Sequence, residues 1–186
     1  MNENDQKEVI LLIGLGNPIL GDDGLGWKVV NEVEAILNNR KSENSRPKIE
    51  VDYLSVGGLS LMEKMIGYKD VVVVDSIFTG NNSNGTVYSL PLSKIPNVSS
   101  SHTTSVHDTS LANAIQMGKK MGLILPKEVW IVAMEAENTH TFSEKLSPEI
   151  ERMVPKAAAL VVSLLEHNLW EEKLIYSTKN STSVNS

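Results

Sequence analysis

The chain contains no cysteine. That excludes a disulfide framework, a thiolate nucleophile and any zinc site built on Cys. Basic residues are few: 17 Lys and Arg stand against 23 Asp and Glu, for a net charge of −6, and no basic run occurs. This balance argues against nucleic acid as a partner. No apolar run approaches the ~18 residues of a membrane span. Residues 1–8 are polar and acidic rather than basic and then apolar, so no signal peptide is expected and the expected compartment is the cytoplasm. A Gly-x-Ser-x-Gly elbow and a His-Glu-x-x-His zinc helix are also missing. No internal repeat or second domain is visible in the 186 residues, a length sufficient for one full core. We therefore expect a single domain over 1–186, with a core over about 8–170 and a disordered Ser/Thr/Asn-rich tail over 176–186.

What is present alternates between strand and helix signals. Val9–Ile13, Ile49–Leu54, Val71–Val74, Gly85–Leu90 and Val129–Met134 read as strands, the fourth nearer an edge. Leu25, Val29, Val33, Ile36 and Leu37 mark one helix face. Leu59, Met62, Met65 and Ile66 mark a short helix, and Leu111, Ala114, Ile115, Gly118 and Met121 another. Ser147-Pro148-Glu149 starts a last helix, running to about Leu169 with a kink expected at Pro155. Residues 38–47 and 91–106 read as loops. This order predicts an α/β fold with a mostly parallel five-stranded sheet covered on both faces.

The most informative segment is Gly14-Leu-Gly-Asn-Pro-Ile-Leu-Gly-Asp-Asp-Gly-Leu-Gly26. It joins the first strand to the first helix and carries two adjacent acids, Asp22 and Asp23. The carboxyl end of a parallel strand is the usual seat of function in an open α/β sheet. An acid there also serves as a plain helix cap, but capping requires neither a second acid nor five glycines. A dinucleotide reading fails, because the third fingerprint glycine would fall on Ile19 and the second strand ends in Leu54-Ser55 without an acid. A phosphoacceptor reading of Asp22, Asp23 and Asp75 fails too, since the last strand ends in Met134-Glu135 where a Lys would be needed. Asp75 ends the third strand, on the same sheet edge as the first turn. His107 lies just before the third helix, and Glu135 follows the final strand as a further candidate. Two carboxylates and an imidazole suffice for a divalent transition metal.

These residues resemble the hydrogenase maturation proteases, over roughly Val9 to Leu165. The likeness rests on Gly14-Leu-Gly-Asn17 through Asp22-Asp23-Gly24-x-Gly26. Gly57-Gly58, the apolar strand ending in Asp75, and His107 followed by Leu111 support it. The resemblance implies a three-layer α/β/α fold with a twisted sheet. It implies an endopeptidase that trims the C-terminus of a [NiFe]-hydrogenase large-subunit precursor. It also implies nickel, carried by the substrate, as the metal recognised, with cadmium or zinc as substitutes in vitro. Asp23, Asp75 and His107 carry over as the metal-binding and catalytic residues. Asp23 is preferred to Asp22 because it directly precedes Gly24-x-Gly26. A monomer without nucleic-acid or membrane partners is expected. One departure is Val56, where the family often has Asp before the double glycine. Two other readings remain open. Gly14-Leu-Gly-Asn-Pro18 also resembles the opening of the peptidyl-tRNA hydrolases, but their catalytic Thr-Arg-His-Asn is absent where this chain has Gly21-Asp-Asp-Gly24. The third is a non-cleaving nickel-checking chaperone.

Overall fold

A computed structural model describes residues 6–39, 47–95 and 106–167, with backbone alone for 106–110 and 167. Five strands form the sheet: β1 (Lys7–Leu15), β2 (Lys48–Leu54), β3 (Tyr68–Ile77), β4 (Val87–Pro91) and β5 (Val129–Glu135). Their spatial order is β2-β1-β3-β5-β4. β2, β1, β3 and β5 run parallel, while β4 is antiparallel to β5 at the edge. The helices are α1 (Leu25–Asn39), α2 (Gly58–Lys64), α3 (Val106–Lys120) and α4 (Pro148–His167).

Strand alternation divides the core into two halves. Ile10 and Leu12, Val72 and Val74, and Trp130, Val132 and Met134 face one side, where they pack with Val29, Val33, Val161 and Leu165 of α1 and α4. Leu11, Ile13 and Leu15, Val71 and Val73, and Ile131 and Ala133 face the other, against Leu61, Met62 and Leu111 of α2 and α3. Central parallel strands buried on both faces read as continuous apolar runs for this reason. The result is the expected three-layer α/β/α sandwich.

Several boundaries differ from the sequence reading. β3 does not end at Asp75. It continues through Ser76 and Ile77, because β5 stays in register beside it, pairing Asp75 with Ala133 and Ile77 with Glu135. β4 begins at Val87, since Gly85 takes a left-handed φ of +83° that leaves the extended region. α2 spans only seven residues, so a helical stripe cannot be carried on to Ile66. Leu61 is buried there with Met62 and Met65, while Leu59 and Ile66 are exposed. Met121 lies past the end of α3 and is exposed as well. Asn38 and Asn39 belong to α1 rather than to a loop. Pro155 lies inside α4 on an exposed position. Most of the expected loop segments, and the tail over 176–186, fall outside the described residues.

Candidate active site

The strand order reverses at β1, with β2 on one side and β3 on the other. The crevice beyond the carboxyl ends of β1 and β3 is thus a topological switch point. The first turn fills it. After β1 the chain passes through Gly16 at φ +123°, turns, and forms a 3-10 turn over Gly21–Gly24 that runs directly into α1. A Cβ on Gly16 would stand 1.9 Å from the carbonyl oxygen of Asp23. A Cβ on Gly26 would stand 2.2 Å from the Leu15 oxygen and 2.4 Å from that of Val74. The first turn of α1 therefore rests on the β1–β3 junction with no room for a side chain. This is why the segment is rich in glycine, and it fixes where the two acids point.

Asp22 and Asp23 part company here. Asp22 is fully buried. Its Oδ1 accepts the Ser147 N–H at 2.6 Å, at the start of α4, and its own N–H donates to the Asn138 oxygen at 3.0 Å. Asp22 thus caps a helix, but a distant one rather than the helix it precedes. Asp23 is half-buried and stays at the surface of the crevice. Its Oδ2 accepts the Asn17 N–H at 2.7 Å and its Oδ1 accepts the Ser76 hydroxyl at 3.2 Å. One hydrogen bond per oxygen orients the carboxylate and leaves lone pairs for a cation. Ser76 ties Asp23 to β3, and Asp75 is its neighbour. Asp75 is 2 % exposed and its Oδ1 accepts the Ser76 N–H at 2.8 Å. The structure therefore brings the ends of β1 and β3 together around Asp23, Ser76 and Asp75. Ser76 escaped the sequence reading. Its only signal there was its place directly after Asp75.

His107 lies in the first turn of α3. α3 is followed by β5 and lies on the α2 side of the sheet, so a helix returning to the start of β5 begins at the carboxyl edge. Its side chain is outside the described residues. Among the described residues, no three His, Asp or Glu side chains group as a metal cage. Glu135, the further candidate, has other duties. It is fully buried, and its Oε1 accepts the N–H groups of Thr79 at 2.5 Å and Gly80 at 3.1 Å. Its Oε2 accepts the hydroxyls of Thr79 at 2.9 Å and Tyr88 at 2.8 Å. Burial raises the Tyr88 pKa above its ordinary value, and the bond to Glu135 raises it further. Glu135 is a strut that clamps the loop after β3. Val56 is exposed just beyond β2, and Ser55 Oγ donates to the Gly16 oxygen at 2.8 Å, which holds that loop against the first turn.

The chain matches the family model for hydrogenase maturation proteases over residues 28–164. That span includes Asp75 and His107 and begins just after the first turn. A protein of Methanocaldococcus jannaschii, provisionally named a hydrogenase maturation protease, is 25% identical over 161 residues, covering 84% of this chain and 96% of that protein. The hydrogenase 2 maturation protease of Escherichia coli is 24% identical over 164 residues, covering 86% of this chain and 92% of that one. Among solved structures, the hydrogenase maturating endopeptidase HybD of E. coli superimposes with a TM-score of 0.65 at 24% identity, over 88% of this chain and 93% of its own. This last likeness is one of fold. With the family model spanning most of the three-layer sandwich, the chain belongs to the hydrogenase maturation protease family and is an endopeptidase.

Proposed function

We propose that this endopeptidase removes the C-terminal extension of a nickel-loaded [NiFe]-hydrogenase large-subunit precursor, as a one-domain cytoplasmic monomer. The observation that supports this most is the pairing of β1 and β3 ends at the switch point. There Asp23, held by Asn17 and Ser76, stands beside the Asp75–Ser76 segment. Asp23, Asp75 and His107 would take the open coordination positions of the nickel that the substrate brings. Two carboxylates and an imidazole form a modest, exchangeable donor set, suited to transient docking. Docking then holds one peptide bond beside the site, which is a proximity effect. Water attack on that bond is assisted by the Lewis-acid cation or by a carboxylate acting as base. The chain carries no thiol, no serine elbow and no zinc helix, so it has no self-sufficient nucleophile for general proteolysis.

The deciding experiment is incubation with precursor prepared with and without nickel, read by product mass. A single cut near the precursor C-terminus, in the nickel-loaded form alone, is expected, with casein left intact. Equal cleavage of both forms would contradict recognition through the substrate's metal. Cleavage of neither would favour the non-cleaving chaperone. The peptidyl-tRNA hydrolase reading loses its footing in the family assignment and the acidic first turn.

A further inference from the structure

We propose that a rim of exposed apolar side chains around the crevice is the docking surface for the precursor, gripping the apolar surroundings of its metal. This rests on the function proposed above and adds the surface that performs the recognition. Large hydrophobic side chains are exposed where the chain leaves four parallel strands at the same sheet edge: Ile19 after β1, Val56 after β2 with Leu59 in the first turn of α2, Phe78 after β3 and Phe142 after β5. Phe142 is 81% exposed and Leu59 54%. An isolated exposed apolar residue is ordinary, but five at the edge that also carries the acids of the site are not.

The backbone beneath this rim is fixed. Ser143 N–H donates to the Ile19 oxygen at 3.0 Å, and Gly21 N–H to the Ser143 oxygen at 2.7 Å, so Ile19 and Phe142 are carried on adjoining strips. Ser55 holds the Val56 loop to Gly16, and Glu135 clamps Thr79 and Gly80 directly after Phe78. Aromatic anchors on pre-ordered backbone lose little entropy on binding and suit the centre of a protein interface.

Charge selects the occupant. Residues 16–24, 55–57 and 76–86 contain no Lys or Arg. The edge has Asp23 and Asp75 at its centre and Glu137 and Glu144 on the loop after β5, where Lys145 and His140 are the basic side chains. An acidic centre inside an apolar frame complements a partner face that presents a cation framed by apolar side chains. On the function proposed above, that partner is the precursor, whose nickel supplies the cation. Nucleic acid and anionic lipid surfaces are repelled from it.

The test uses the full-length protein and labelled precursor, nickel-loaded, with Kd read by fluorescence anisotropy and KM and kcat by product mass. Phe142→Ser and Phe78→Ser should each raise Kd and KM about tenfold, with kcat within about twofold of wild type. Met121→Ser, at an exposed residue just past the far end of α3, should leave all three constants unchanged. Unchanged Kd in both Phe variants overturns the proposal, as does a loss confined to kcat. So does a wild-type homodimer that Phe142→Ser dissolves while precursor affinity stays the same. If wild type binds but never cuts, the endopeptidase reading fails, and the Kd series still decides the docking surface.

Discussion

The two ends of the parallel strands are built in different ways. At the amino edge, charged side chains satisfy one another. Lys7 Nζ lies 3.3 Å from Glu50 and 2.9 Å from the Tyr68 hydroxyl, and rests 4.1 Å from the Tyr68 ring. These contacts are solvated and contribute little to stability. At the carboxyl edge, carboxylates satisfy backbone N–H groups instead: Asp22 that of Ser147, Asp23 that of Asn17, and Glu135 those of Thr79 and Gly80. An acid bonded to a side chain across a surface adds little shape. An acid bonded to main chain fixes a loop. At the amino edge Glu128 also accepts main-chain N–H groups, those of Ser93 and Val129, so the lesson is one of degree: at the working edge three acids are committed to holding backbone.

The sharpest way to break this contrast is at Asp23. Asp23→Asn should lower precursor processing at least about a hundredfold, since the lost charge faces the cation, with little change in melting temperature. Asp22→Asn should do the reverse. It keeps an acceptor for Ser147 but buries an amide, costing about 1–3 kcal/mol and several degrees of Tm while leaving processing in place. Parallel processing assays and thermal melts read both, and exchanged phenotypes would move the site to Asp22.

Next is the glycine seat. Gly26→Ala puts a methyl against two carbonyl oxygens that belong to different strands, so neither can retreat alone. A loss of about 3 kcal/mol is expected. Denaturant unfolding measures it, and a loss below about 1 kcal/mol would show that α1 sits more loosely on β1 and β3 than described.

The smallest effect concerns the strut. The Tyr88 hydroxyl must stay protonated to donate to Glu135, and burial raises its pKa above the ordinary 10.0. The folded state therefore favours the protonated phenol. The resulting stability is present below pH 10 and is lost as pH climbs through the raised value. Tyr88→Phe should flatten this alkaline limb by less than about 1 kcal/mol, because the ring is only half-buried. Tyr53, whose hydroxyl is also raised by burial and by Glu34, leaves a residual slope. Unfolding curves at neutral and alkaline pH in both proteins check the difference, and identical slopes would remove Tyr88 from the strut.

Much of this was legible in the chain because periodicity reports burial. The runs at Val9–Ile13, Val71–Val74 and Val129–Met134 announce strands covered on both faces, and the layer order follows. The preference for Asp23 over Asp22 comes from the family resemblance at Gly24-x-Gly26; what the structure adds is that Asp22 is buried and Asp23 half-buried. Other features depend on pairs far apart in sequence. Ser76 joins Asp23 only because β3 outlasts its apolar run, which depends on the register of β5. Glu135 looked like a ligand candidate because nothing local reveals Thr79 and Tyr88 converging on it. α2 was too short for its periodicity to predict which of Leu59, Leu61 and Ile66 face the core.

The bond between Asp22 and Ser147 spans 125 residues. It gives the site a place in time as well as in space. During synthesis β1 and the first turn emerge early, yet the amide that locks Asp22 is made near the end, along with the Ser143 strip that pairs with Ile19 and Gly21. Until then the turn bearing Asp23 has glycines to bend with and no anchor for its neighbour. A chain that stops at the end of β5 thus holds every strand of the sheet but lacks Asn138, Ser143 and Ser147, the residues whose main chain holds Gly21, Asp22 and Ile19 of the first turn.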